Sequence, residues 1–313
     1  MPSRRRTQTQ LNAQLEAARG EDALRPSTGP ISISGKWDKS SEIVIHSGNC
    51  LDLLKAMPDE SVKLIVTSPP YNIGKAYEKK SPLDVYLDAQ SKILAECARV
   101  IQPGGSIVWQ VGNYIDKKTG EVIPLDALFF PILKNLGLSS RNRIVWTFDH
   151  GLHASRRFSG RHETMLWFSK GNEYTFSLDP VRVPQKYPNK KYFKGPKRGE
   201  LSGNPNGKNP GDVWAIPNVK HNHPEKTIHP CSFPIELVER FVLSLTEPGD
   251  VVLDPFGGVG STIVAAVLHG RRGVMAEMDK TYIKAARDRL KRAERGELLA
   301  RPMGKPIHGS DSK

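Results

Sequence analysis

The chain has 313 residues, a formal net charge of +13 and 38% hydrophobic residues, enough for one large α/β domain, alone or carrying a smaller insert. No apolar run approaches the roughly eighteen residues of a transmembrane helix, and Met1-Pro2-Ser3-Arg4-Arg5-Arg6 lacks the apolar stretch of a signal peptide. Cys50, Cys97 and Cys231 form no CxxC pair, which argues against a disulfide framework or a zinc site; a reducing compartment and no metal are expected. The surplus of Lys and Arg points to a polyanionic partner, because phosphate neutralisation supplies affinity independent of sequence.

Residues 1–30 are polar and aperiodic and read as a mobile arm. Ile43-Val44-Ile45 predicts a strand, Leu51 to Met57 a short helix, and Lys63 to Thr67 a second strand. An amphipathic helix is predicted over Pro82 to Val100, ended by the breaker Pro103-Gly104-Gly105 and followed by a strand, Ser106 to Val111. Ala127 to Leu136 predicts a helix; Arg143 to Thr147 and Thr164 to Phe168 predict strands. From Gly171 to about Ile228 periodicity is lost. There, residues 181–228 hold ten Lys/Arg against three acids, with Tyr187, Tyr192, Phe193 and Trp214 interleaved. Such a long irregular insert suits nucleic-acid contact. Pro234 to Leu245 (helix), Val251 to Leu253 (strand), Ser261 to His269 (helix), Gly273 to Glu277 (strand) and Lys280 to Arg295 (helix) follow, and the end of the chain reads as a disordered tail, residues 301–313. Strands alternating with helices predict an α/β fold with a mostly parallel sheet covered on both faces.

Two turns carry the chemistry. Asp254-Pro255-Phe256-Gly257-Gly258-Val259-Gly260-Ser261-Thr262 joins a strand to a helix. Its glycines let the backbone approach a bound group, and the helix N-terminus offers free N–H groups. Glu277, at the end of the next strand, can accept ribose hydroxyls. The dinucleotide fingerprint G-x-G-x-x-G is absent. The second turn, Thr67-Ser68-Pro69-Pro70-Tyr71-Asn72, follows a strand and so lies at the carboxyl edge of the sheet, where ligands bind in open α/β folds.

In this order the two turns resemble the permuted, catalytic-motif-first DNA amino-methyltransferases of the cytosine-N4/adenine-N6 family. His229-Pro230-Cys231-Ser232-Phe233-Pro234-Ile235-Glu236-Leu237 and His46-Ser47-Gly48-Asn49-Cys50 also resemble family segments; Asn49 stands where Asp is usual. The resemblance covers about residues 43–170 and 205–292 and implies a Rossmann-like methyltransferase fold using S-adenosyl-L-methionine. It divides the chain into a catalytic half (31–170), a target-recognition insert (171–228) and a cofactor half (229–300). By that resemblance Asn49, Cys50, Phe233, Pro234, Asp254, Pro255, Phe256, Gly258, Gly260, Ser261, Thr262 and Glu277 bind the cofactor. Ser68, Pro69, Pro70 and Tyr71 are the catalytic set.

The chemistry fits that assignment. An exocyclic ring amine is a poor nucleophile because its lone pair is delocalised. Acceptors on its N–H groups, the Ser68 hydroxyl and Pro69 carbonyl, favour a tetrahedral nitrogen, while Tyr71 stacks on a base turned out of the duplex. By the same resemblance, Ser before Pro-Pro-Tyr is usual for cytosine-N4 enzymes and Asp for adenine-N6 enzymes, so Ser68 favours cytosine N4, with adenine N6 retained. RNA, a protein glutamine, or DNA binding without catalysis stay open as further readings. Pro230-Cys231 mimics the nucleophile of cytosine-C5 enzymes but lies upstream of the glycines rather than downstream. His162 and Glu163 are left outside the catalytic set as a structural cluster. Double-stranded DNA is the expected partner, with a cognate restriction endonuclease and a homodimer as further candidates, in a prokaryotic cytoplasm or nucleoid.

Overall fold

Alternating apolar residues place one strand's side chains on both faces of a sheet. Ile43 and Ile45 enter one core while Val44 enters the other. The structure, a computed structural model, describes residues 31–74, 80–116, 118–151, 153–220 and 222–304, so the expected N-terminal arm and residues 305–313 lie outside it. The elements run β1 (Ile33–Ser34), β2 (Ile43–Ser47), α1 (Cys50–Ala56), β3 (Val62–Thr67), α2 (Leu83–Val100) and β4 (Ile101–Val111). Next come the hairpin β5 (Asn113–Ile115) and β6 (Val122–Pro124), α3 (Leu125–Asn135), β7 (Ser139–Thr147), β8 (His162–Ser169) and β9 (Val213–Ala215). The chain closes with α4 (Ile235–Leu245), β10 (Val251–Asp254), α5 (Ser261–Leu268), β11 (Arg272–Glu277) and α6 (Lys280–Glu294).

Among the described residues, nine strands form one sheet in the order β1-β2-β11-β10-β3-β4-β8-β7-β9. Strands β1 to β4 with β10 and β11 pair in parallel, β8 runs antiparallel to β4 and β7, and β9 is parallel to β7. The predicted, mostly parallel α/β architecture is therefore present. Helices α4, α5 and α6 pack on one face and α1, α2 and α3 on the other. Each fully buried Leu, Ile or Val contributes about 1.5–3 kcal/mol.

Three local expectations need correction. Pro103-Gly104-Gly105 is not a break between elements: α2 ends at Val100 and β4 begins at Ile101. The ladder jumps from Val62↔Ile101 to Leu64↔Ser106, so the four residues between bulge outward. Gly104 adopts φ 71° there, and a Cβ on Gly105 would meet the Lys63 carbonyl oxygen at 2.8 Å.

The insert is not wholly irregular either. It holds a 3-10 turn, Asp179–Val181, and contributes β9, whose register is Val145↔Val213, Trp146↔Trp214 and Thr147↔Ala215. A three-residue strand carries no legible periodicity, and its ladder comes from β7, far away in sequence. Trp214, grouped by sequence with Tyr187, Tyr192 and Phe193 among the basic residues, is buried against Phe241 with ring centroids 4.9 Å apart.

Finally, the expected tail starts docked. Arg301 N–H donates to Glu225 Oε1 (3.0 Å), its guanidinium pairs with Glu236, and Gly304 N–H donates to Glu236 Oε1 (2.8 Å). Buried carboxylates on the body, invisible to local composition, hold it there.

Candidate active site

The two turns meet because β10 and β3 are neighbours in the sheet, in register Val252↔Leu64 and Leu253↔Ile65. Both strands point their carboxyl ends the same way, so their turns emerge side by side. Thr67 Oγ1 donates to Asp254 Oδ1 at 2.6 Å across 187 residues of sequence. A single cavity of about 490 Å³ runs between the two turns.

At one end lies the Pro-Pro-Tyr turn. The two prolines cannot donate from their nitrogens, and the Pro70 carbonyl is held by the Tyr86 hydroxyl at 2.8 Å. Asn72 closes the turn at φ 58°, its side chain exchanging two 2.8 Å hydrogen bonds with the Ser81 backbone. Tyr71 rests edge-on against Gly112, where a Cβ would come within 3.2 Å of its ring. The Tyr71 hydroxyl donates to Glu163 Oε2 (3.0 Å) and lies 3.0 Å from Ser68 Oγ. Gln110 Nε2 donates to the same Glu163 oxygen at 2.5 Å. Burial, followed by the Glu163 charge, raises the Tyr71 phenol well above its ordinary range. Burial also raises Glu163, opposed by its hydrogen bonds from Gln110 and Tyr71 and by Lys220 and His162.

At the other end, β11 delivers Glu277 to the Gly-rich turn. Glu277 Oε2 accepts from Gly258 N–H (2.9 Å), and Oε1 accepts from Met278 and Asp279 N–H (2.8 Å each). These amides fix the carboxylate and use three of its roughly four acceptor positions. A ribose diol can take the free position and must share or displace an amide at another. Gly258 at φ 51° and Gly260 at φ 77° shape the turn, which a side chain would strain.

Asn49 reaches the cavity as the N-cap of α1, its Oδ1 accepting from Leu51 N–H at 2.9 Å, which leaves the amide NH2 and a second Oδ1 lone pair for a ligand. His229 packs edge-on to Tyr282 at 4.6 Å, and burial, then Lys226, lowers its pKa to about 4, which favours the neutral imidazole near neutral pH. Phe256 stands edge-to-face with Trp109, centroids 6.1 Å apart.

Of the residues the sequence singles out, Ser68, Pro69, Pro70 and Tyr71 line the cavity, as do Asn49, Cys50, Phe233, Pro255, Phe256, Gly258, Ser261 and Glu277. Pro234, Asp254, Gly260 and Thr262 stand behind the wall. Asp254, 1% exposed, is wholly engaged: besides Thr67 it accepts from Thr262 Oγ1 (2.7 Å) and Phe256 N–H (3.0 Å). It fastens the two turns together rather than facing the cavity.

Sequence reasoning set Glu163 aside with His162, and the structure separates them: Glu163 enters the cavity while His162 is exposed. Gln110, Trp146, Phe148, Asn218 and Lys220 join it. Gln110 had a legible signal, a polar residue inside the apolar strand Ile107-Val108-Trp109-Gln110-Val111. The others come from the far edge of the sheet and the insert, with no local mark.

The cavity suits a polar, nucleotide-like cofactor. Gln110 Oε1, Asn218 Oδ1 and Ser232 Oγ are buried in its wall without a hydrogen-bond partner among the described residues. Such groups cost stability unless a ligand or water satisfies them.

Residues 62–288 match the DNA methylase family of N6 and N4 enzymes. The chain belongs to this family. It is 54% identical over 257 residues to the type II methyltransferase M.BglII of Bacillus subtilis, an alignment covering 82% of this chain and 71% of that protein. It is 32% identical to the DNA adenine methyltransferase YhdJ of Escherichia coli K12, covering 82% and 84%.

Among solved structures, TTHA0409 of Thermus thermophilus, complexed with S-adenosyl-L-methionine, superposes with a TM-score of 0.59 at 27% identity, covering 84% of this chain and 99% of that one. The cytosine-N4-specific PvuII DNA methyltransferase shares the fold, with a TM-score of 0.64 at 21% identity over 84% of this chain and 96% of that one. The Rossmann-like methyltransferase architecture and the cofactor implied by the Gly-rich turn are those of the family. No described helix is long and apolar enough to cross a membrane.

Proposed function

We propose that this family member methylates the exocyclic N4 amine of cytosine at a defined sequence in duplex DNA, using S-adenosyl-L-methionine and a base turned out of the helix. One observation carries the reading: Ser68 to Tyr71 and the Glu277–Gly258 pair stand at opposite ends of one cavity. The cofactor supplies an electrophilic methyl group. Glu277 and the Asn49 amide hold its ribose and adenine side, and Phe256, Phe233 and Ser232 enclose the rest. At the other end, Ser68 Oγ and the Pro69 carbonyl accept the amine's N–H groups and raise its nucleophilicity. Tyr71, seated on Gly112, stacks on the base. Positioning and electrostatics then account for most of the rate.

DNA contact is supported by the insert, where Phe193 is 82% exposed among lysines, and by the exposed Arg156-Arg157-Phe158 between β7 and β8 at the catalytic edge of the sheet. The insert is proposed to read the target sequence. Relatives named as type II methyltransferases, M.BglII and M.ScaI of Streptomyces caespitosus, support a cognate restriction endonuclease as partner and a bacterial cytoplasmic setting. A homodimer is a further proposal.

Ser68 favours cytosine. Adenine N6 is the second reading, favoured by the likeness to YhdJ. Mass spectrometry of nucleosides from DNA treated with the enzyme is expected to find N4-methylcytosine. N6-methyladenine alone would overturn the base assignment while preserving the reaction class.

A further inference from the structure

We propose that Glu163 is the terminal proton acceptor of the reaction, reached from the target amine through Ser68 and Tyr71. The inference rests on the amino-methylation reading and deepens it. When a neutral amine takes a methyl group it becomes a cation and must lose a proton. The Pro69 carbonyl cannot carry that proton away, whereas Ser68 Oγ begins a connected path.

The path has a direction. Tyr71 owns one hydroxyl proton and gives it to Glu163 Oε2 at 3.0 Å, so in the 3.0 Å contact with Ser68 it acts as acceptor and Ser68 as donor. Ser68 Oγ thereby keeps its lone pairs free for the amine. After methyl transfer, an amine N–H bond breaks and a new O–H bond forms on Ser68. The original Ser68 proton moves to Tyr71, and the Tyr71 proton moves to Glu163. The base ends as a neutral methylated amine, the carboxylate as a carboxylic acid, and the two hydroxyls are unchanged in charge. No tyrosinate forms, consistent with a phenol held well above its ordinary range.

Glu163 is built for the end of this path. Burial makes its charged form costly and so strengthens it as a base. Gln110, 2% exposed, holds Oε2 at 2.5 Å, which fixes the oxygen that receives the proton. The charged and titratable groups facing it are Tyr71 from the β3 turn, His162 beside it on β8 and Lys220 from the segment after β9. Lys220 and His162 moderate the rise, leaving a carboxylate that ionises above the usual glutamate range and is regenerated by loss of the proton to water.

The test compares wild type with Glu163→Gln and Tyr71→Phe, which keep shape and ring but interrupt the path at its end and middle. Single-turnover methylation is measured against pH on duplexes carrying the motif found methylated in cells that express the chain. Wild type should lose activity as pH falls through an acid limb above the ordinary glutamate range. Both variants should fall about tenfold to a hundredfold at the plateau and lose that limb. Independently, infrared difference spectra of the protein without cofactor, taken between high and low pH, should contain a protonated-carboxyl band absent from Glu163→Gln. Variants that lose rate but keep the wild-type acid limb would reduce Glu163 to a support for the Tyr71 ring and overturn the proposal. Failure of wild type to methylate any DNA would instead bring down the underlying reading, whatever the infrared band shows.

Discussion

Tyr71→Ala is expected to lower methyl transfer further than Tyr71→Phe does, by roughly another fivefold to 150-fold, while leaving the dissociation constant for S-adenosyl-L-methionine unchanged. The range follows from stacking worth about 1–3 kcal/mol per base. Both changes cut the contact between Ser68 and Glu163, so the additional loss is that of the ring. The cofactor end is untouched, since Glu277 is held by Gly258, Met278 and Asp279 rather than by the Pro-Pro-Tyr turn.

Glu277→Ala should behave in the opposite sense. Hydrogen bonds to a charged acceptor contribute about 1.5–3 kcal/mol each, so the dissociation constant should rise at least about tenfold, with turnover largely restored at saturating cofactor. Calorimetry of cofactor binding beside single-turnover kinetics separates the two. If both variants failed in the same way, the division of the cavity into a base end and a cofactor end would be wrong.

Asp254→Ala should be the most damaging change to stability, by about 3–5 kcal/mol, because it strands the Thr67 and Thr262 hydroxyls and the Phe256 N–H in a buried place. Asp254→Asn, nearly isosteric, should lose far less at neutral pH. Burial raises the Asp254 carboxyl to about 6, against the opposing hydrogen bonds of Thr67, Thr262 and Phe256. Its ordinary value is 3.8, which the unfolded chain keeps. Between those values the folded protein binds the extra proton, so this group's contribution is full below the unfolded value and is lost as pH rises through about 6. The loss is roughly 3 kcal/mol. Urea titrations of wild type and Asp254→Asn from about pH 4 to 7 should converge or cross as pH rises; parallel curves would show that Asp254 does not titrate in this window.

Glu163 shows how far local pattern reaches. Its neighbours in sequence, the stretch from Arg157 to His162, mark only a polar segment before an apolar strand. What gives it a role is the antiparallel pairing of β8 with β4, which sets it beside Gln110 and opposite Tyr71. Trp214 teaches the same lesson in reverse: an aromatic residue among lysines looks like a surface contact until pairing with β7 makes it part of the edge strand β9. Asp254, Gly260 and Thr262 belong to a turn that sequence identifies, but which of its residues face outward depends on the path of the chain between β10 and α5.

Local pattern was sufficient for the alternation of strands and helices, for the two turns and their order, and through them for the family and its cofactor. Each of these has a short-range cause: apolar periodicity follows from burial, glycines from left-handed backbone, prolines from a fixed turn. Three features needed the folded sheet instead: that the turns share one cavity, that Asp254 fastens them from behind, and that Glu163 and Gln110 complete the Pro-Pro-Tyr end. Strand order places β10 next to β3 and β8 next to β4, and side chains remote in sequence acquire chemistry only when the sheet brings them within hydrogen-bond reach.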